Sequence, residues 1–149
     1  MNAKAKILVV DDEEVVRRSF TRILGAPHYH VKAVGSWTEA AQAMQEEPFD
    51  VVLLDLRMPD VDGITVLRAL KQCWPESEVI IITGYPSIDT AKQAVALGAY
   101  DYLAKPVGPE QVIEASTAAM RHKRWALHAE GGKEPAAAAA AASVRSFQE

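Results

Sequence analysis

Residues 51–60 read Val-Val-Leu-Leu-Asp-Leu-Arg-Met-Pro-Asp, a run apolar enough to be a buried strand that ends on a carboxylate, Asp55. A charge at the edge of a core costs several kcal/mol, of order ~2–7 for even a neutral polar group left unpaired, unless something compensates it. An ordinary strand surfacing at Asp55 would explain the run taken alone. What the rest of the chain does with acids at strand ends decides between the two readings.

Working outward, Ile7–Val10 is a second short, continuous apolar run, of the kind covered on both faces. Val15, Val16, Phe20, Ile23 and Leu24 then recur at helical spacing, and Gly25 and Pro27 end that helix. Residues 31–34 read as a strand. Ser36-Trp37-Thr38-Glu39 has the form of a capping box and opens a helix through Gln45. After the 51–54 strand, a loop from Pro59 to Gly63 leads into a helical segment carrying Ile64, Val66, Leu67 and Leu70. Residues 79–82 form a fourth strand, 87–97 a helix closed by Gly98, and 100–104 a fifth strand. Pro109 suits the first position of a last helix, through about Trp125. Five strands alternating with five helices predict an α/β fold with a parallel sheet.

In such a sheet all strand C-termini lie at one edge, where open α/β folds bind ligands. The first strand runs into Asp11-Asp12-Glu13-Glu14, and the third ends on Asp55. If those strands are neighbours, Asp11, Asp12 and Asp55 meet. Crowded carboxylates repel, and a cation relieves them; an all-oxygen set suits Mg²⁺, or Mn²⁺. The fourth strand delivers the Thr83 hydroxyl to the same edge and the fifth delivers the Lys105 ammonium. Acids, a hydroxyl and a lysine at four strand ends make a set for phosphoryl transfer, with Asp55 as acceptor. Part of the acidic run has a plainer use, since acids favour the positive end of a helix dipole.

The blocks ILVVDDEE, VVLLDLRMPDVDG, VIIITGYP and GAYDYLAKP resemble the receiver domain of bacterial two-component response regulators, over about Lys6 to Arg124. The resemblance implies a flavodoxin-like fold with strand order 2-1-3-4-5 and phosphotransfer from a sensor histidine kinase to Asp55. It implies that Asp11 and Asp12 are the acidic pair, with Asp12 and Asp55 on the metal and the Arg57 backbone carbonyl completing its shell. Thr83 and Lys105 match the partners of the phosphoryl group, and Tyr102 the switch aromatic. Lys105-Pro106 matches a peptide bond that is cis in the family. The stretch from Thr83 to Pro106 is most similar to receivers that precede sigma-54-dependent activator domains. Tyr85, two residues after Thr83, is placed to screen the site.

The 149 residues, 49% hydrophobic and 24% charged, suit one soluble domain over residues 1–126. Residues 127–149, with Gly131-Gly132, Pro135 and seven alanines from Ala136 to Ala142, read as a low-complexity tail or linker stub. A net charge of -4 argues against direct nucleic-acid binding, and no apolar run is long enough to span a membrane. A cytoplasmic protein is the expectation. Cys73 is expected as a small buried hydrophobe, and His28, His30, His122 and His128 as surface residues. Lys92, Arg121, Lys123, Arg124 and Asp101 suggest a mixed-charge face of helix four, strand five and helix five, able to form a phosphorylation-promoted homodimer.

The rival from another class is an aspartyl-phosphate phosphohydrolase of small phosphomonoesters. It wants a second acid two residues after the nucleophile, where Arg57 stands. A nucleotide module would want a P-loop or a Gly-x-Gly-x-x-Gly turn after the first strand, and neither is present. A flavin module would be recognised by its colour.

Overall fold

The structure is a computed structural model and describes residues 5–25, 27–59 and 61–128, with side chains through Lys123. Five strands, β1 (Lys6–Val10), β2 (His30–Val34), β3 (Val51–Leu54), β4 (Glu78–Thr83) and β5 (Asp101–Ala104), form one parallel sheet in the order β2-β1-β3-β4-β5. Helices α1 (Glu14–Leu24), α2 (Trp37–Glu46), α3 (Gly63–Cys73), α4 (Ile88–Ala96) and α5 (Pro109–His128) connect and follow them. This is the flavodoxin-like order expected from the sequence. β1 and β3 are direct neighbours, with Val10 opposite Leu54.

Each buried strand divides its side chains between two layers, as a period of two requires. Leu8, Val10, Val52, Leu54, Val79 and Ile81 join Ala40, Met44, Leu67, Leu70 and Ala91 of α2, α3 and α4. Ile7, Val9, Val51, Leu53, Ile80 and Ile82 join Phe20, Leu24, Val112 and Ala119 of α1 and α5. A run apolar at every position is therefore what a central strand of this sheet needs.

Local signals place the helix ends. Ser36 Oγ accepts from the Glu39 N–H at 3.2 Å, and Ser87 Oγ from the Thr90 N–H at 3.1 Å. α4 closes on Gly98, at φ +94°, where Gly98 N–H reaches the Val95 carbonyl and Ala99 N–H the Ala94 carbonyl. That double closure needs the left-handed residue glycine supplies without strain.

Four expectations need correction. The loop before α3 contains a two-residue ladder, Arg57–Met58 against Val61–Asp62. Cys73, expected inside, is exposed. His122, expected at the surface, is mostly buried and pairs through Nδ1 with Glu78, against the Tyr100 ring. Lys123, counted on a dimer face, is held by Asp50 at 2.7 Å. α5 runs to His128, and the rest of the expected tail lies outside the described residues. Among the described residues no helix is long and apolar enough to cross a membrane.

Candidate functional site

The C-terminal edge of the sheet gathers the acids. Asp11 follows β1 directly, and its N–H continues the ladder to the Val34 carbonyl at 3.1 Å. Asp55 follows β3, and its N–H bonds the Val10 carbonyl at 3.0 Å. Both carboxylates are therefore fixed by backbone pairing, buried, and aimed at one spot. Asp12, one residue further, is exposed. One carboxylate oxygen from each of Asp11, Asp12 and Asp55 lies within 4.8 Å of the others.

Lys105 enters from the end of β5. Its N–H bonds the Thr83 carbonyl at 2.8 Å, and the peptide bond to Pro106 is cis. Its ammonium donates to Asp11 Oδ2 at 2.9 Å, Glu13 Oε1 at 3.3 Å and Asp55 Oδ2 at 3.4 Å. Burial works to lower the Lys105 pKa, but the Asp11 contact and the charges of Asp11 and Asp55 outweigh it and hold it raised. Asp55 is pushed above the ordinary carboxylate range by burial and by the charge of Asp11, against the pull of the Arg57 N–H and Lys105. The Arg57 N–H donates to Asp55 Oδ1 at 3.1 Å. A buried acid beside a second buried acid, with one ammonium between them, still carries excess negative charge. Hard oxygen donors in that arrangement fit Mg²⁺.

Thr83, fully buried at the end of β4, accepts from the Tyr85 N–H at 3.1 Å. Tyr85 itself is exposed, and the Arg57 guanidinium lies 3.9 Å from the centre of its ring. Together with Asp12, Glu13, Asp55, Gly84 and Lys105 they line an open cleft of about 330 Å³. Tyr102 is buried on β5, with its hydroxyl 2.7 Å from Thr90 Oγ1 and accepting from the Ser87 N–H at 3.2 Å. It thus ties β5 to the first turn of α4.

Asp11, Asp12, Asp55, Arg57, Thr83 and Lys105, singled out in the sequence, all border this edge, and Tyr102 joins it through the β4–α4 connection. Four further participants escaped the sequence reading. Glu13 was assigned to a helix start, yet it holds Lys105. Arg17 donates to the Asp11 carbonyl at 2.8 Å from one turn into α1. Ser87 and Thr90 anchor Tyr102. Only the acidic run gave any hint of the first, and nothing local hints at the others.

An open parallel α/β sheet with an acid trio and a lysine at its ligand edge has the oxygen donors for a hard cation and an ammonium for an anionic oxygen group. The chain belongs to the response regulator receiver domain family, whose model matches residues 7–117. It is 36% identical over 119 residues to the response regulator protein PilR of Pseudomonas aeruginosa, covering 80% of this chain and 27% of PilR. The alginate biosynthesis transcriptional regulatory protein AlgB of Pseudomonas syringae pv. tomato is 38% identical over 109 residues, covering 73% of this chain and 24% of AlgB. The chain thus spans about a quarter of the length of these curated relatives. Among solved structures, the beryllofluoride-activated NtrC4 receiver domain dimer superposes with a TM-score of 0.75 at 38% identity, covering 79% of this chain and 98% of that one. Receiver domains bind Mg²⁺ through acidic residues. The phosphohydrolase reading finds no support among these relatives, and Arg57 stands where its second acid belongs.

Proposed function

We propose that Asp55 accepts a phosphoryl group from a sensor histidine kinase, in a Mg²⁺-dependent reaction, and that the chain works as the phosphorylation-controlled part of a two-component system. The observation that carries this is the meeting of Asp11, Asp12 and Asp55 under the Lys105 ammonium. Asp11, Asp12, Asp55 and the Arg57 carbonyl would hold the ion, which supplies positive charge to the phosphoryl oxygens. An Asp55 carboxylate oxygen forms the new P–O bond while the P–N bond to the kinase's phosphohistidine breaks, its electron pair staying on the imidazole. Lys105 neutralises one phosphoryl oxygen and Thr83 donates its hydroxyl proton to another. Tyr85, stacked on Arg57, covers one side of the cleft and limits access of water to the acyl phosphate.

The test is intact-mass analysis after incubation with a small phosphodonor. One phosphoryl group per chain is expected with Mg²⁺, mapped to Asp55, and none with a chelator. Labelling that ignores the chelator, or maps to another residue, rejects the reading.

Thr83 and Tyr102 would couple the phosphoryl group to the α4–β5–α5 surface. A ligand shifts a two-state balance only through contacts that differ between the states. The Thr83 hydroxyl would leave the Tyr85 N–H for a phosphoryl oxygen, dragging the residue 84–87 connection and with it the Ser87 anchor of Tyr102. The proposed consequence is a homodimer through this face, where Lys92 and Arg121 are exposed. Exposed ion pairs contribute about 0–1 kcal/mol each, so the resting chain should be mainly monomeric. In sedimentation, beryllofluoride with Mg²⁺ should convert wild type to a dimer and leave Thr83→Ala a monomer. A variant that dimerises as readily as wild type removes Thr83 from the switch.

A further inference from the structure

Glu13 stands at the N-cap of α1 in extended backbone, φ -90° and ψ 118°, yet its side chain makes no cap hydrogen bond. A shorter Asp, Ser or Asn at that position would accept from an N–H of the first helical turn. Glu13 sends its carboxylate the other way, to Lys105 at 3.3 Å. The residue forgoes a cap and takes up an ion pair inside the cleft instead.

That pair completes the ammonium's bonding. A lysine ammonium has three N–H groups and no more. Lys105 has three carboxylate partners, Asp11, Glu13 and Asp55. A phosphoryl group arriving beside Asp55, before transfer, therefore meets a lysine whose donors are all in use. One partner has to let go. The side chains of Asp11 and Asp55 are 3% and 4% exposed, so a carboxylate released there keeps only its backbone N–H, from Glu13 or Arg57, and its second oxygen stays out of water without a countercharge. Glu13 is 58% exposed and is rehydrated as it leaves.

We propose that Glu13 is a displaceable holder of Lys105, a positioning residue that keeps the ammonium's third N–H in the resting site and yields it to the phosphoryl oxygen. This rests on the acceptor role proposed for Asp55 and adds a restraint on how fast that acceptor is loaded. The transfer itself is unchanged. With acetyl phosphate as donor, an Asp55 oxygen bonds to phosphorus and acetate departs with the electron pair of the broken P–O bond.

Two variants separate holding from simple repulsion of an anionic donor. Glu13→Gln removes the charge, whereas Glu13→Asp keeps the charge but shortens the reach. If Glu13 acts by holding Lys105, both take up phosphoryl from subsaturating acetyl phosphate with Mg²⁺ about threefold faster than wild type, a size suited to one half-exposed charge contact. Glu13→Asp should also gain a cap and melt no lower than wild type, which guards against a folding artefact. The Lys105 side-chain ¹⁵N resonance gives a reading that a structural role would not move. It should differ from wild type in both metal-free variants and coincide in all three chains once beryllofluoride and Mg²⁺ are bound. A Glu13→Asp chain with the wild-type rate would overturn the proposal in favour of repulsion alone, and equal or slower rates in both variants would overturn it outright. An unlabelled wild type would instead mark failure of the acceptor role, so the two failures are told apart.

Discussion

An Asp55→Asn chain is expected to take up no phosphoryl group under conditions that should label wild type, and to melt higher than wild type at pH 7. The first result follows from the chemistry of the acceptor: an amide offers no anionic oxygen to phosphorus, and no other acid that ends a central strand lies opposite the Asp11–Asp12 pair. The second follows from electrostatics. Burial and the charge of Asp11 raise the Asp55 pKa above its ordinary value of 3.8. Below 3.8 both folded and unfolded chains hold the proton. Between 3.8 and the raised value the folded chain still holds it while the unfolded chain has released it, so stability falls as pH rises through that window. Above the window the folded state carries the whole cost of the buried charge. Asparagine removes that cost, a gain of about 1–2 kcal/mol for one buried polar group relieved of its charge. Melting curves of the two chains should therefore converge towards pH 3 and separate towards pH 7. Adding Mg²⁺ should narrow the gap, because an ion bound by the native carboxylates stabilises wild type by mass action and the variant less. A variant that melts below wild type at pH 7 would show that Asp55 is compensated in the resting site, contrary to the geometry described.

How much of this was legible in the sequence depends on the range of the interactions. The three central strands were readable because a buried parallel strand is apolar at every position, and the helix ends at Ser36 and Gly98 because those residues act within a few residues of themselves. The gathering at one edge was readable for a topological reason: a parallel sheet delivers all its strand ends to one side, so Asp11, Asp55 and Lys105 come together there and Thr83 ends a strand at the same edge. What failed was what depends on distant partners. His122 is drawn inside by Glu78, which lies 44 residues away along the chain. Lys123 turns from solvent to Asp50 across 73 residues. Cys73 follows the helical spacing of Leu67 and Leu70, but α3 ends there and Trp74 packs against the core in its place. Glu13 was hidden for a different reason. Acids at a helix start already have a use, so nothing in the run DDEE distinguishes the one that turns away from the helix to the lysine.

Gly63→Ala is expected to lower stability by about 3 kcal/mol or more, at or above the ~1–3 that overpacking commonly costs. Gly63 opens α3 directly after the short ladder, with its N–H on the Leu56 carbonyl at 3.1 Å. A Cβ there would lie 2.4 Å from Leu56 Cα and 2.6 Å from the Leu56 carbonyl oxygen. Both are backbone atoms, so no side chain can swing aside; either α3 shifts or the strand end after β3 does. The second route bears on function, because Leu56 follows Asp55 and precedes Arg57, whose N–H fixes the Asp55 carboxylate. The variant should therefore melt about 10 °C lower, on the scale of ~3–4 °C per kcal/mol for a domain of this size, and load phosphoryl more slowly at temperatures where it is still folded. Gly108→Ala is the control. A Cβ there meets nothing within 4 Å, and its effect should stay within about 0.5 kcal/mol. If the two alanine variants melt within a degree of one another, the backbone after Asp55 is free to yield, and the rigidity assigned to the acceptor's position is lost with it.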